Sequence, residues 1–333
     1  MRHYIGIDAH CKYSEVAVMD ERGVVVMNRS VKTSGPNLIE VIRSVKGERM
    51  VVVEDSTIAG WLMRTLSPYA EHFQVADPKR NALIARSEKK SDRSDAERLA
   101  WLFRGGLTHA VHHTTDERHF ELKETVYHYH DCVNQVVRFK NKLKALYRRH
   151  GMLRLTVEVY DPEKGQEYVE RLQFPSSQHR ARMLLLQITE IEQASEKAHR
   201  RLRELSAHFP IIGMFERIPG VGLIVSATVV AIIETPHRFP SKRELWKYAA
   251  LAVANPESGG KSYGRYASKE GNRLLKKMLM MAALNAERGE NRFSRQYRAL
   301  KIKSNSIAQR TVARTILAVM YSMWKTGELY REE

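Results

Sequence analysis

The sequence predicts an α/β amino-terminal domain on a mixed sheet, then a helical coiled-coil arm, then a mainly α carboxy-terminal region. Three observations carry this reading. Short apolar runs in the first 80 residues are separated by turns and by stretches of helical period. Residues from about 116 to 205 are polar, poor in glycine and helical in pattern. A glycine-bearing turn at 218–222 stands directly before an apolar helix-forming run. The domains expected are 1–110, 111–207 and 208–333.

The front domain begins with three short strands. Tyr4-Ile5-Gly6-Ile7 is apolar, Val16-Ala17-Val18-Met19 follows, and Asp20-Glu21-Arg22-Gly23 reads as a hairpin turn into Val24-Val25-Val26-Met27. Leu38, Val41, Ile42 and Val45 recur at helical spacing and predict a helix over 37–45. Met50-Val51-Val52-Val53 is apolar throughout, as a strand covered on both faces must be. A helix at 59–67, a strand at 73–76 and helices after Pro78 complete the series. Three antiparallel strands followed by alternating helix and strand is the ribonuclease-H-like order, shared with the actin and sugar-kinase ATPases.

In the arm, Gln135–Arg149 interleaves Arg138, Lys140, Lys142, Lys144, Arg148 and Arg149 with Phe139, Leu143, Leu146 and Tyr147. Leu184, Ile188, Ile191, Ala194, Ala198, Leu202 and Leu205 follow a roughly heptad pattern. Two such helices predict an antiparallel coiled coil joined by an irregular connection over 152–175.

Composition narrows the function. The 333-residue chain carries a formal net charge of +17, and thirteen of those charges lie from Arg200 onward, where there is no aspartate. Basic surface of this kind suits a polyanion, because phosphates release counterions when lysine and arginine neutralise them. A generic basic protein, such as a ribosomal one, is the bland alternative. No apolar run approaches the roughly 20 residues of a membrane span. The start does not read as a signal peptide, and two cysteines, Cys11 and Cys132, make no disulfide framework. A cytoplasmic protein without a membrane partner is expected.

The last aspartate is Asp161, so an aspartate-built metal site must lie in the front half. Asp8 ends the first strand and Glu54 the central one, while Asp92 and Asp95 stand three apart at a helix start and share a face. In the ribonuclease-H-like order these positions converge at one sheet edge. Four carboxylates there repel and partly protonate unless cations intervene. Two Mg²⁺ ions would resolve that conflict and could clamp the attacking and leaving oxygens of a phosphodiester. Each residue alone reads as easily as a turn or cap residue. Asp55 and Glu97 are spare carboxylates of lower rank.

Ile218-Pro219-Gly220-Val221-Gly222 resembles a helix–hairpin–helix turn, whose amides at Gly220 and Gly222 can bind a phosphate; an apolar packing turn is the alternative. Gly259-Gly260-Lys261-Ser262 mimics part of a P-loop, but Asn255 stands where that motif needs glycine and no helix follows the serine directly. A mobile loop carrying a nucleophile fits better. From residues alone Ser258, Ser262 and Ser268 compete equally for that role. Lys261, Arg265, Lys269, Arg273, Lys276 and Lys277 read as backbone contacts or as solvated surface. His109, His112, His113, His119, His128 and His130 lack cysteines at zinc spacing and read as surface or helix-face histidines.

Taken together, these motifs resemble the DEDD-type transposases of bacterial insertion sequences, relatives of the Piv DNA invertase. The matching stretches are Tyr4-Ile5-Gly6-Ile7-Asp8, Val53-Glu54, Ser91-Asp92-Arg93-Ser94-Asp95-Ala96 and Ile218-Pro219-Gly220-Val221-Gly222. Arg238-Phe239, Tyr248-Ala249-Ala250-Leu251, Glu257-Ser258-Gly259-Gly260-Lys261 and Ser268-Lys269-Glu270-Gly271-Asn272 continue them. The resemblance covers nearly the whole chain, and the arm is its least diagnostic part.

The resemblance implies a RuvC-like catalytic domain whose acidic tetrad falls on Asp8, Glu54, Asp92 and Asp95. It implies a catalytic serine at Ser258 that attacks a DNA phosphate and forms a phosphoserine link. It also implies a guiding bridge RNA, as in several members, and composite sites shared between subunits of a dimer of dimers. A bacterial, nucleoid-associated setting follows. The sequence departs from the family at Ala250, where glycine is usual, at Asn255-Pro256 before the Ser-Gly motif, and at Glu270; none removes a catalytic group.

The main alternative is a metal-only junction nuclease of the same fold, using water as nucleophile. A sugar-kinase-like ATPase needs a Gly-Thr pair after the first aspartate, and Ala9-His10-Cys11-Lys12 follows Asp8 instead. A non-catalytic RNA-binding protein would have no use for an intact tetrad.

Overall fold

The protein is described from a computed structural model. Residues 1–84, 92–254, 257–258, 261–262, 266–267 and 270–332 are described, and among them 82–84, 92–94, 254, 257–258, 261–262 and 266–267 through the backbone alone. The chain divides into two compact units, Met1–Glu117 and Arg118–Glu333.

In the first unit, β1 (Arg2–Ala9), β2 (Tyr13–Met19) and β3 (Val25–Lys32) form an antiparallel meander. The turn into β3 is held by the Asp20 carboxylate, which accepts from the amides of Arg22 and Val24, both at 2.9 Å. Gly23 supplies a φ of 89° that closes this turn. The third strand runs five residues beyond the apolar stretch that predicts it, because its polar Asn28-Arg29-Ser30 segment stays paired with β2 at the sheet edge while Met27 and Val31 pack against the core.

Next come α1 (Gly35–Ser44), β4 (Glu48–Glu54), α2 (Ala59–Leu66), β5 (His72–Ala76), α3 (Pro78–Ile84), α4 (Asp92–Arg104) and β6 (Ala110–Val111). Ser34 caps α1 by accepting from the Asn37 amide. The sheet order is β3-β2-β1-β4-β5-β6. β4 runs parallel to both β1 and β5, and the two-residue β6 closes the edge antiparallel to β5.

Strand alternation sorts the side chains onto two faces. Ile5, Ile7, Val16, Val18, Val51, Val53 and Val75 pack with Leu38, Val41 and Ile42 of α1 and Leu62 and Leu66 of α2. Val52 and Ala76, out of phase with that set, pack with Leu99 and Phe103 of α4. Both faces of the central strands are therefore dry, which is why Met50–Val53 shows no polar alternation. Gly6 lies on the α4 face, and a Cβ there would collide with the Ala96 carbonyl oxygen and the Ala100 amide. Glycine lets the helix backbone ride directly on β1.

The second unit contains α5 (Glu117–Arg149), whose first residue closes the preceding unit, α6 (Lys164–Glu170) and α7 (Pro175–Ser206). At one end of the helix pair, Leu143, Leu146 and Tyr147 meet Ala181, Leu184, Leu185 and Ile188. The stretch 152–175 is more ordered than its sequence suggests. A turn of 3-10 helix at Val157–Tyr160, capped by Thr156, and the helix α6 place Val159, Val169 and Leu172 in the same cluster. They cover apolar side chains that a bare hairpin would expose.

At the other end, Leu122, Val126, Leu202 and Leu205 join a larger core made by α8 (Pro210–Phe215), α9 (Leu223–Ile233), α10 (Lys242–Tyr248), α11 (Arg273–Glu287), α12 (Arg292–Lys301) and α13 (Asn305–Thr326). From Val225 to Ile233 every residue of α9 is buried, as expected of a helix that is apolar all round. Between α10 and α11 the chain forms two short antiparallel pairings. β7 (Val253–Ala254) pairs with β10 (Tyr266–Ala267), and β8 (Glu257–Ser258) with β9 (Lys261–Ser262). No helix among the described residues is long and apolar enough to cross a membrane.

Candidate nucleic-acid processing site

The register of β1 on β4 pairs Ile7 with Val53, so Asp8 and Glu54 end adjacent parallel strands at the same edge. Asp8 is in phase with Gly6 and Glu54 with Val52, which puts both on the face that α4 covers. The helix enters that edge with its first turns, and Asp92 and Asp95 lie there three residues apart. Gly6 therefore matters beyond packing, since the close approach of α4 sets the height of Asp95 above the strand ends.

The charges register this convergence. Partial loss of water, then the charges of Asp8 and Asp95, push the Glu54 carboxyl above its ordinary range, and Arg98 opposes the shift. Glu54 is solvent-exposed by surface area, so the crowding comes from surroundings that flank the carboxyl without sealing it. Arg98, one turn beyond Asp95, forms an ion pair with it through a guanidinium nitrogen. The His10 imidazole lies 3.4 Å from the Asp8 carboxylate. Asp92 is placed on α4 by its backbone alone.

Among the described residues, no three His, Cys, Asp or Glu side chains stand close enough to hold a metal ion. The donor set still suits one. Its groups are carboxylates, which are hard oxygen donors for Mg²⁺, and Glu54 carries a negative field, only partly offset by Arg98, that a divalent cation would relieve.

The spare carboxylates have partners of their own. Asp55 meets His113 Nε2 at 2.9 Å, and Glu97 accepts from the Asn28 side-chain amide. Sequence reasoning gave no role to Arg98 or His10, and read His113 only as a surface or helix-face histidine. The Asp95–Arg98 pair was visible as a three-residue spacing on a helix. The contact from His113 to Asp55, by contrast, spans 58 residues and has no local signature.

The histidines as a group are not all superficial. His130 takes a helix-face position on α5, but on the inward face: it is 4% exposed and meets Thr228 Oγ1 at 2.9 Å. Burial, with Lys277 adding to it, lowers its pKa to about 4. Helix α5 is too deeply seated against α9 at that point to leave the ring outside.

The glycine turn before α9 has a packing role. Gly220 has a φ of 83°, and a Cβ on it would collide with the Ala282 carbonyl oxygen and the Ala286 amide of α11. Gly222, by contrast, is exposed with open space around it, and it precedes the first turn of α9 in extended conformation. Of the two glycines, Gly222 leaves amides accessible at a helix start.

Ser258 pairs across the β8–β9 bridge with Lys261. The stretch expected to be a mobile loop thus carries antiparallel pairing at Ser258 and Lys261, and the two glycines between these residues were the sequence signal for it. Ser258, Lys261 and Ser262 are described through the backbone alone; Arg265, Lys269 and Ser268 lie outside the described residues. Arg273 is exposed at the start of α11, behind the Asn272 cap that accepts from the Leu275 amide at 2.9 Å.

On α5, Arg138 and Lys142 are exposed and Lys144 is half-buried. Lys140 is engaged within the arm. It pairs with Glu192 of α7 at 2.6 Å and lies 5.2 Å from the centroid of the Tyr160 ring.

Comparison with known proteins adds to this geometry. A family model for DEDD-type IS110 transposases matches residues 5–151, a span that contains Asp8, Glu54, Asp92 and Asp95. A second model, described as the transposase IS116/IS110/IS902 family, matches residues 213–298, which contain Gly220, Gly222 and Ser258. The chain is also similar to a protein of Streptomyces coelicolor described as an insertion element IS110 uncharacterized 43.6 kDa protein, 30% identical over 129 residues. That match spans 38% of this chain and 31% of the relative.

Proposed function

Because the chain belongs to the DEDD transposases of IS110-type insertion sequences, we propose that it cleaves and rejoins DNA strands at the ends of such an element. The observation that carries this reading is the electrostatic meeting of Asp8, Glu54 and Asp95 at one edge of a ribonuclease-H-like sheet. Membership of the family implies dependence on a divalent metal, typically Mg²⁺.

Asp8, Glu54, Asp92 and Asp95 would hold the metal, and two ions suit four carboxylates better than one. When bound, Mg²⁺ supplies positive charge to the non-bridging oxygens of the scissile phosphate. The Ser258 hydroxyl oxygen attacks phosphorus, its proton passing to a nearby base or water. The bond from phosphorus to the leaving deoxyribose oxygen breaks, and that oxygen takes up a proton. The phosphoserine link conserves the bond energy for rejoining. Ser258 belongs to the second unit and the carboxylates to the first, which accords with a site assembled between subunits, as in a dimer of dimers.

The exposed Arg138 and Lys142, with Lys144, Lys261, Arg265, Lys269, Arg273 and the Gly222 amide, are the phosphate contacts of this reading. Thirteen net positive charges from Arg200 onward fit a second polyanion besides DNA, and a guide RNA of the bridge type fits that role.

The test is strand cleavage and strand transfer on DNA carrying the element ends, with and without RNA transcribed from its flanks. Asp8→Asn, Glu54→Gln and Asp95→Asn should each abolish both reactions in Mg²⁺. Ser258→Ala should abolish formation of the covalent protein–DNA species. Cleavage retained in Ser258→Ala would favour hydrolysis by water and overturn the serine mechanism.

A further inference from the structure

Helix α13 carries two arginines, Arg310 and Arg314, one turn apart on one face and both half-buried. Neither has a carboxylate partner among the described residues. Arg310 reaches the Ser306 hydroxyl at 3.4 Å, and its Nε is buried with no hydrogen-bond partner. Arg314 reaches the Thr311 hydroxyl at 3.1 Å. Basic side chains on the adjacent helix α12 are satisfied differently: Arg298 pairs with Glu290 at 2.6 Å, Lys301 with Glu287 at 2.7 Å and Arg295 with Glu332 at 3.6 Å.

Trp246 of α10 is approached by Arg314 and by a third cation, Lys242. Its indole Nε1 donates to the Arg314 carbonyl at 3.1 Å, which ties α10 to α13. The Arg314 guanidinium and the Lys242 ammonium each lie 6.0 Å from the centroid of its ring. Burial, with the Arg310 charge adding to it, lowers the Arg314 pKa from its ordinary value.

Two like charges gathered in a partly dry place, with a buried donor left unmade, cost free energy that the protein itself does not offset. An anion with several acceptor oxygens offsets it. A carboxylate side chain from the same chain would be the simplest solution, and none is present among the described residues there. Planar guanidinium forks match the oxygens of phosphate, and a compact ammonium adds charge for it.

We propose that Arg310 and Arg314 on α13, with Lys242 at the Trp246 ring that Arg314 also approaches, form a binding site for backbone phosphates of a nucleic acid. The site rests on the functional reading above and adds to it a contact surface on α10 and α13. Duplex DNA and RNA present the same phosphodiester chemistry, so the experiment separates them.

Full-length protein would be titrated with duplex DNA and with structured RNA over a range of KCl concentrations. Wild type, Arg310→Gln/Arg314→Gln and Arg310→Lys/Arg314→Lys are compared after circular dichroism confirms folding, with Arg310→Gln alone as the milder variant. The glutamine pair should weaken binding about tenfold and reduce the slope of log K against log salt by about 1 to 2. The lysine pair should keep most of the slope. A change with duplex alone assigns the site to DNA, and a change with RNA alone assigns it to RNA. A folded glutamine pair, or the single variant, with wild-type affinity and slope for both would overturn the site. A wild-type protein that binds neither nucleic acid would overturn the functional reading itself.

Discussion

Arg98 grips the Asp95 carboxylate from one helical turn away, and the same guanidinium lowers the cost of ionising Glu54. One cation therefore occupies, electrostatically, the place that a divalent metal would take. A metal held by Asp95 would take the place of its Arg98 contact, so the two would compete. Removing one positive charge some ångströms away in a solvent-screened site is worth about 1 kcal/mol. Arg98→Ala should therefore bind Mn²⁺ about three- to tenfold more tightly than the wild type, as read by calorimetry. Weaker binding would mean that Arg98 orders Asp95 rather than competing for it.

The raised pKa of Glu54 also has a thermodynamic sign. A carboxyl whose folded pKa lies above its unfolded value holds more protons in the native state. Its contribution to stability is present at low pH and is lost as pH rises through the raised pKa. At neutral pH and without metal, Glu54 therefore destabilises the first unit. Glu54→Gln should raise the melting temperature in EDTA and abolish the further rise that Mg²⁺ gives the wild type. A Glu54→Gln protein that melts lower than wild type in EDTA would contradict this account.

Gly6 is where packing and chemistry meet. A methyl group there would run into the Ala96 carbonyl and the Ala100 amide, both backbone, so no side-chain rotation relieves it. Gly6→Ala should destabilise the first unit by about 3 kcal/mol. Because α4 must lift off β1, strand cleavage should fall further than the folded fraction does. Cleavage per folded molecule at the wild-type level would show that Asp95 tolerates the displacement.

Much of this was legible in advance for physical reasons. The alternation that separates Ile5 and Ile7 from Gly6 and Asp8, and Val51 and Val53 from Val52 and Glu54, is a period of two and needs no tertiary knowledge. From it follows the placing of Asp8 and Glu54 on the face of α4. The two-residue strand β6 was not legible, since Ala110-Val111 is too short to carry a pattern and is set by its partner β5. The ordered cap of the arm was missed because Val159, Val169 and Leu172 are too widely spaced to show a period, although they fill one cluster. Lys140 looked like its basic neighbours, and only the approach of α7 reveals Glu192 beside it.

That difference gives a direct comparison along α5. Lys140 sits between Glu192 and the Tyr160 ring, whereas Arg138 is exposed two residues away. Lys140→Ala should leave the salt dependence of DNA or RNA binding nearly unchanged and cost less than about 1 kcal/mol in stability, as a partly exposed pair does. Arg138→Ala should show the reverse, with stability intact and a shallower salt slope by about 1. Filter binding and urea denaturation on the same two variants decide it.

His130 supplies a pH-dependent stability switch in the second unit. Its native pKa of about 4 lies below the usual imidazole value of 6.5, because burial against α9 disfavours the charged ring. The unfolded chain therefore binds a proton between those values that the native state refuses. Stability from this group is intact at pH 7 and falls as pH drops through 6.5 towards 4. Between pH 7 and pH 5 the linked loss is about 2 kcal/mol. His130→Gln keeps a polar group near Thr228 and removes the titration, so its urea midpoint should change less over that interval than the wild-type midpoint. If both midpoints fall in parallel, the acid sensitivity of the second unit lies in other groups, and the buried imidazole is protonated without cost.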